Sequence, residues 1–318
     1  MTAETTRPRI EAPFIIGRRR MLTSSLAFAA GGLLSGCSGA GLDPTSLITQ
    51  AATTGTSLAQ TESLGEKDEI QIGNTLYGRI VDAQGGFYRN AAVQSSMERL
   101  AAPLIATAKR QQLPWEIVVL DNNEVNAWAL PGGKIGVDKG LIRYCASETD
   151  LVTVIGHEIG HADLGHGIAQ IRTQQFTQTL TSSGSELLQS QLSGPAGALS
   201  GPLLDALEGP IEQMVTSGYS RQAEREADQN VLKVYQQLGY DPHKASHFFH
   251  TMLEIMPKDT TATTSLFSTY PGTVERIEAI DARAATMAVP GGVVQSESFT
   301  ELQVVFPTRQ YYRRHTVA

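Results

Sequence analysis

The sequence predicts an α+β domain, mainly α, with a small β-sheet next to a helix that carries His157, Glu158 and His161. Three observations predict it. Apolar residues recur at helical spacing before position 115, as in "EIQIGNTLYGRI" and "NAAVQSSMERL". Within 115–138 the period shortens to two, in "WEIVVLD", "VNAWAL" and "KIGVD". The triplet Pro131, Gly132, Gly133 turns the second of these runs into the third, just before "IGHEIGHADLGHG".

The elements follow in order. Arg18, Arg19 and Arg20 precede an uncharged run over 21–36, too short and too rich in small residues to span a membrane. Residues 1–36 therefore read as a signal peptide. "LSGC" at 34–37 resembles a bacterial lipobox, which makes Cys37 the expected lipidation site and first residue of the mature chain. The arginines suit either a Sec or a twin-arginine signal. Five of the 25 basic and two of the 32 acidic residues precede Cys37, which leaves 20 and 30, a formal charge of −10. That balance argues against nucleic acid as a partner. Of the two cysteines, Cys145 alone then remains unmodified, which excludes an internal disulfide. Residues 37–62 are small and Ser/Thr-rich and read as a flexible tether. Membrane attachment is expected through lipid on Cys37, because no later apolar run reaches spanning length.

Ile70, Ile72, Leu76, Tyr77 and Ile80 predict a first helix that stops at Gly85 and Gly86. A second runs over 90–113 and ends at Pro114. After the strands, Ser147 with Asp150 three residues on resembles a capping box and opens the His-rich helix. Residues 181–210 are dense in Gly and Pro and read as an insertion with short helical pieces. Further helices are predicted over 223–238, 242–256 and 273–288, with a loop at 257–272. The domain is placed at 63–289. Residues 290–318 form an extension of unknown role whose run "LQVVF" looks strand-like.

His157 and His161 are four residues apart, so on a helix both imidazoles leave one face a turn apart and can share one Zn²⁺. Glu158 then projects beside the metal, placed to take a proton from water, which is the mechanical content of an HExxH pattern. Downstream stands "YSRQAEREAD" at 219–228, again in a predicted helix. Glu224 would supply a third donor from that helix, and Asp228, one turn on, could accept the outer N–H of a ligand histidine. The alternatives are Glu226, or no ligand from this run. A metzincin pattern needs Gly at position 164 and His at position 167, where the chain has Leu164 and Gly167. His166 lies five residues past His161, off the metal face of a continuous helix, and is expected to be structural or solvent-exposed.

Together, "HEIGH", "YSRQAEREAD" and "NAWALPGGKIGVDKGLI" resemble the CAAX prenyl protease/HtpX-like zinc metallopeptidases, over about 64–288. These are HExxH gluzincins, and the resemblance is especially to the periplasmic lipoprotein and BepA/LoiP-type members. The resemblance implies a gluzincin-type metallopeptidase domain with one Zn²⁺ per chain on His157, His161 and Glu224. It makes Glu158 the catalytic base and Asp228 a support for the site. Members often carry "THP" before the last helix. Here "STYPGTVERI" puts Tyr270 in that place, an expected donor to a developing oxyanion rather than a metal ligand.

Asn126, Ala127 and Trp128 mark a strand whose edge is expected to receive an extended substrate through main-chain hydrogen bonds. Residues 181–210 are a candidate cover for the cleft. The expected function is a zinc endopeptidase, lipid-anchored on the periplasmic side of the bacterial envelope, at the outer membrane. Its expected substrates are misfolded or misassembled envelope proteins. The alternative is an envelope chaperone or assembly factor with low or latent proteolysis. A zinc-stabilised structural protein is a third reading, which would leave Glu158 without a use.

Overall fold

The computed structural model describes residues 64–181, 201–255 and 270–308, apart from 291, 292 and 294. The expected signal peptide, the tether, Cys37 and residues 182–200 lie outside the described residues.

Helix α1 (Glu66–Ala83) begins where the Asp68 carboxylate accepts the Gly65 N–H at 2.7 Å, and buries Ile72, Leu76, Ile80 and Val81. Gly85 and Gly86, both at positive φ, end it as predicted. In α2 (Ala91–Ile105) the Asn90 side chain caps the Ala92 and Val93 amides. This helix stops well before Pro114. Pro103 removes a backbone donor within it, and the chain beyond is captured elsewhere: Asp163 accepts the amides of Lys109 and Arg110, both at 2.8 Å.

Strands β1 (Glu116–Leu120), β2 (Ala127–Leu130) and β3 (Lys134–Asp138) form one sheet in the order β1-β3-β2. The hairpin β2–β3 is antiparallel, whereas β1 pairs with β3 in parallel, Ile117 opposite Ile135. Alternation along the strands divides the core in two. Val119, Ala127, Ala129, Ile135 and Val137 face the larger cluster, while Val118, Leu120, Trp128 and Leu130 face a smaller one with α1. Both faces of the sheet are thus covered by helices.

A short α3 (Lys139–Ile142) leads to α4 (Glu148–Asp163), whose start is the expected one: the Asp150 carboxylate accepts the Ser147 N–H at 3.0 Å. Helix α5 (His166–Thr181) follows after a break at Leu164 and Gly165. The described part of the Gly/Pro-rich segment is one continuous helix, α6 (Gly201–Ser217), rather than short pieces. Leu204, Leu207, Ile211, Met214 and Val215 form its buried stripe, and that packing tolerates the internal Pro210.

Helix α7 (Arg221–Leu238) runs from its Ser220 cap to Gly239 at φ 79°. The segment expected as one helix from Pro242 is split into a 3₁₀ turn (Pro242–Lys244) and α8 (His247–Ile255). Helix α9 (Tyr270–Ala284) begins earlier than expected. The last element, α10 (Glu297–Val305), corrects the strand-like reading of "LQVVF". Ser296 caps it through the Phe299 amide, and Phe299, Leu302 and Phe306 reach the main core at helical spacing. Helix α10, beyond position 290, therefore packs into the domain core. Among the described residues no helix is long and apolar enough to cross a membrane.

Candidate metal centre

Helices α4 and α7 build the centre, and Gly160 lets them approach. A Cβ on Gly160 would stand 3.0 Å from the Ala227 Cα and 3.0 Å from the Asn230 Cβ, so a side chain there would push α7 away. Asn230 ties the same contact by donating to the Gly156 carbonyl at 2.8 Å. The residues beside these glycines, His157 and His161, are thereby held against Glu224 and Asp228 of α7.

The Nε2 atoms of His157 and His161 lie 3.0 Å apart. Glu224 Oε2 is 3.3 Å from the first and Glu224 Oε1 is 3.6 Å from the second. A tetrahedral ion held at about 2.0–2.1 Å separates its donor atoms by roughly 3.3–3.4 Å, so this triangle fits one. Glu224 Oε2 is buried without a hydrogen bond, although Arg276 Nη1 stands 3.1 Å from it as an ion pair. Two imidazole nitrogens, once His157 releases its Nε2 proton, and a carboxylate with spare acceptor capacity form the donor set of a zinc or similar divalent site. Among the described residues, His157, His161 and Glu224 are the one grouping able to hold a metal.

Burial and neighbouring charges set the two histidines apart. Burial opposes a charge on His157, yet the hydrogen bond to Asp228 and the nearby Glu224 carboxylate outweigh it and raise the ring to about 9. His161 goes the other way: burial, then the nearby His157 and His166, hold it well below the usual histidine range, with its lone pair available. Burial pushes the Glu158 carboxyl up to about 7, helped by Glu224 and opposed by His157 and Arg276. Burial would also raise Asp228, but Arg276 and His157 overcome it and hold that carboxyl at about 2.

Asp228 accepts the His157 Nδ1–H at 3.0 Å. His166 is not among the metal-facing donors, yet it is neither remote nor exposed. Gly165, at φ 70°, breaks the helix and turns the chain so that His166 is buried with its Nδ1 2.8 Å from His161 Nδ1. The continuous helix on which the outward direction of His166 was expected does not exist here.

Glu226 points outward to His166 Nε2 at 3.1 Å, away from the triangle. Asn126 is buried and donates to the Val215 carbonyl, and the side chains of Ala127 and Trp128 are buried. Their contribution to any recognition is therefore through the β2 backbone. Tyr270 opens α9, and its side chain lies outside the described residues.

Two residues at the centre escaped the sequence reading. Arg276 of α9 grips Asp228 with Nε and Nη2 at 2.9 and 2.8 Å, and stacks over Phe249 at 4.6 Å. Its signal was a cation on the buried stripe Thr273, Arg276, Ile277, Ile280. Tyr219 stacks on His161 at 4.1 Å and donates its hydroxyl to the Ala129 carbonyl at 3.0 Å. With Met214 it lines a narrow cavity of about 10 Å³ beside Glu158, room for no more than one water molecule.

A divalent-cation site on an HExxH helix, with a buried carboxylic acid beside it and a glutamate from a neighbouring helix, places the chain among the metallopeptidases. The family model of Peptidase family M48 matches residues 88–284, more than half of the chain, and the chain belongs to that family. A beta-barrel assembly-enhancing protease of Escherichia coli (strain K12) is 29% identical over 204 residues, 63% of this chain and 40% of that protein. The metalloprotease YcaL of the same strain is 30% identical over 174 residues, 54% of this chain and 63% of YcaL. The mitochondrial metalloendopeptidase OMA1 of Arabidopsis thaliana is 31% identical over 153 residues, 48% of this chain and 29% of OMA1. The chain thus spans about 40% of the length of the assembly-enhancing protease it matches.

Proposed function

We propose that this chain is a zinc-dependent endopeptidase of the cell envelope that cleaves misfolded or misassembled envelope proteins. The observation that carries the reading is the His157, His161 and Glu224 triangle with Glu158 buried beside it. The likeness to a relative named for β-barrel assembly supports outer-membrane proteins as the substrate class. Lipid on Cys37, after export by a Sec or twin-arginine signal, would hold residues 63–308 at the membrane surface.

In this reading His157, His161 and Glu224 hold one zinc ion per chain. When bound there, zinc would polarise the scissile carbonyl and acidify water. Glu158 takes the proton of the attacking water and passes it to the leaving amine, a task suited to a carboxyl raised to about 7. Asp228 keeps the His157 proton on Nδ1, so that Nε2 faces the triangle as a donor. Arg276, its charge neutralised by Asp228, stands against Glu224 and limits the negative charge of the centre. Substrate adds to the β2 edge as an extended strand once Tyr219 leaves Ala129. Tyr270 remains the proposed donor to the oxyanion.

The test pairs zinc content with cleavage of casein for residues 38–318 and their Glu158→Gln variant. One zinc per chain in both, with cleavage lower by about 10²–10⁴-fold in the variant, is the expected result. No zinc in the parent would sink the site assignment. The closed cleft favours a second reading, a chaperone or assembly factor whose proteolysis is latent. Zinc in both proteins with cleavage in neither, and client binding retained, would favour that one.

A further inference from the structure

The geometry points to His166 and Glu226 as positioning residues for the second metal-binding histidine, forming a hydrogen-bonded chain from His161 to the surface. The inference rests on the reading of His157, His161 and Glu224 as metal ligands. His161 turns Nε2 toward the triangle and Nδ1 toward His166, 2.8 Å away. Once Nε2 is a metal donor, a neutral His161 carries its proton on Nδ1. Nδ1–H can then only donate, and His166 Nδ1 must accept.

That choice fixes the next step. A neutral His166 accepting at Nδ1 carries its proton on Nε2, and Nε2 lies 3.1 Å from Glu226 Oε2. Glu226 accepts there and takes a second hydrogen bond on Oε1 from Gln222 Nε2 at 3.0 Å. Every direction in the series is dictated by the metal at its inner end. His157 ends on a buried carboxylate that Arg276 neutralises, whereas His161 reaches a carboxylate through a second imidazole. Both ligands therefore have their ring orientation and tautomer set from outside the triangle.

Two features show that the chain is built rather than incidental. Gly165 at φ 70° ends α4, and without that reversal His166 would point off the metal face. Tyr219 stacks on His161 and also lies beside the His166 ring, at 6.0 Å between centroids. The imidazole pair is thus shielded on one face, and water has poor access to the Nδ1–Nδ1 contact.

The test measures zinc affinity, by competition with a chelator, for the parent, His166→Leu, His166→Gln and Glu226→Ala. Melting of the zinc-free proteins serves as the control for folding. Removing a partner of a ligand histidine typically weakens metal binding about 10–100-fold. That loss is expected for His166→Leu. His166→Gln should recover most of it, because its amide oxygen can accept from His161 and its nitrogen can donate to Glu226. Glu226→Ala, at a half-exposed position, should lose several-fold. Adding Glu226→Ala to His166→Leu should cost nothing more, since one chain is broken only once.

Zinc-loaded parent labelled with ¹⁵N-histidine should show His166 protonated on Nε2 and not on Nδ1. Affinity within twofold of the parent in both His166→Leu and Glu226→Ala would overturn the proposal, as would an Nδ1-protonated His166. Should His166→Leu fail to fold, Glu226→Ala and the tautomer decide. A parent that binds no zinc would instead overturn the metal-site reading on which the inference rests.

Discussion

On the α7 side of the centre, His157, Asp228 and Arg276 form a buried series of charge-assisted hydrogen bonds of 2.8 to 3.0 Å. On the β2 side the same cleft is shut by Tyr219, which reaches the strand through one neutral bond of 3.0 Å. The first wall consists of opposed charges out of water, where loss of either partner strands the other. The second is one hydroxyl on one carbonyl, worth about 0.5–1.5 kcal/mol, plus a ring stacked on His161. On the proposed function, one wall is a scaffold for the ligands and the other a closure that opens. A protease that must accept extended chains, yet hold its metal, needs that division.

The comparison breaks most visibly at Arg276. Arg276→Met leaves the Asp228 carboxylate buried without its neutralising partner, and unfolding of the zinc-free protein should become easier by about 3–5 kcal/mol. The sign with pH follows from Asp228, whose folded value lies at about 2, below the ordinary 3.8. Such a group stabilises the fold above the ordinary value and loses that effect as pH falls through the folded one. The cost of Arg276→Met should therefore be full at pH 5 and fade toward pH 2. A variant as stable as the parent at pH 5 would remove the distinction between the walls.

A smaller effect is expected on the other side. Tyr219→Phe keeps the ring on His161 and deletes the bond to Ala129. Cleavage of casein should rise by about threefold to tenfold as the β2 edge becomes easier to occupy. A fall of more than tenfold would mean that the hydroxyl acts on substrate rather than as a closure.

The smallest effect concerns the far end of α4, where His247 pairs with the fully buried Asp150 at 2.7 Å. The hydrogen bond to Asp150 raises the His247 ring above its ordinary 6.5, against the opposing effect of burial. A raised histidine stabilises the fold below its unfolded value, and that stabilisation is lost as pH rises through the folded one. His247→Gln should therefore lower the melting temperature by a degree or two more at pH 5.5 than at pH 9, on the order of one weak ion pair. An equal change at both would remove His247 from the pairs that charge stabilises.

The rigid wall was also the more legible one. His157, His161, Glu224 and Asp228 are pairs at helical spacing, and helix geometry alone brings each pair to one face. The strands, the turn at 131–133 and the Ser147 cap were readable for the same reason, being local. Arg276 was not, because its partner lies 48 positions away and only packing joins α7 to α9. His166 was misdirected by assuming that the helix runs on, although Gly165 was the visible signal of a break. The strand-like reading of "LQVVF" followed β-branched residues, where Phe299, Leu302 and Phe306 at three and four apart behind Ser296 mark a helix. The parallel pairing of β1 with β3 and the closure of β2 by Tyr219 are tertiary outcomes without a local sequence mark.

The most direct measurement is X-ray absorption at the zinc edge on the mature protein, with the metal content determined on the same sample. One zinc per chain, with two imidazole nitrogens and oxygen for the remaining donors, is the expected result. Three imidazoles, which would draw His166 into the coordination sphere, or a sulfur donor, would contradict it.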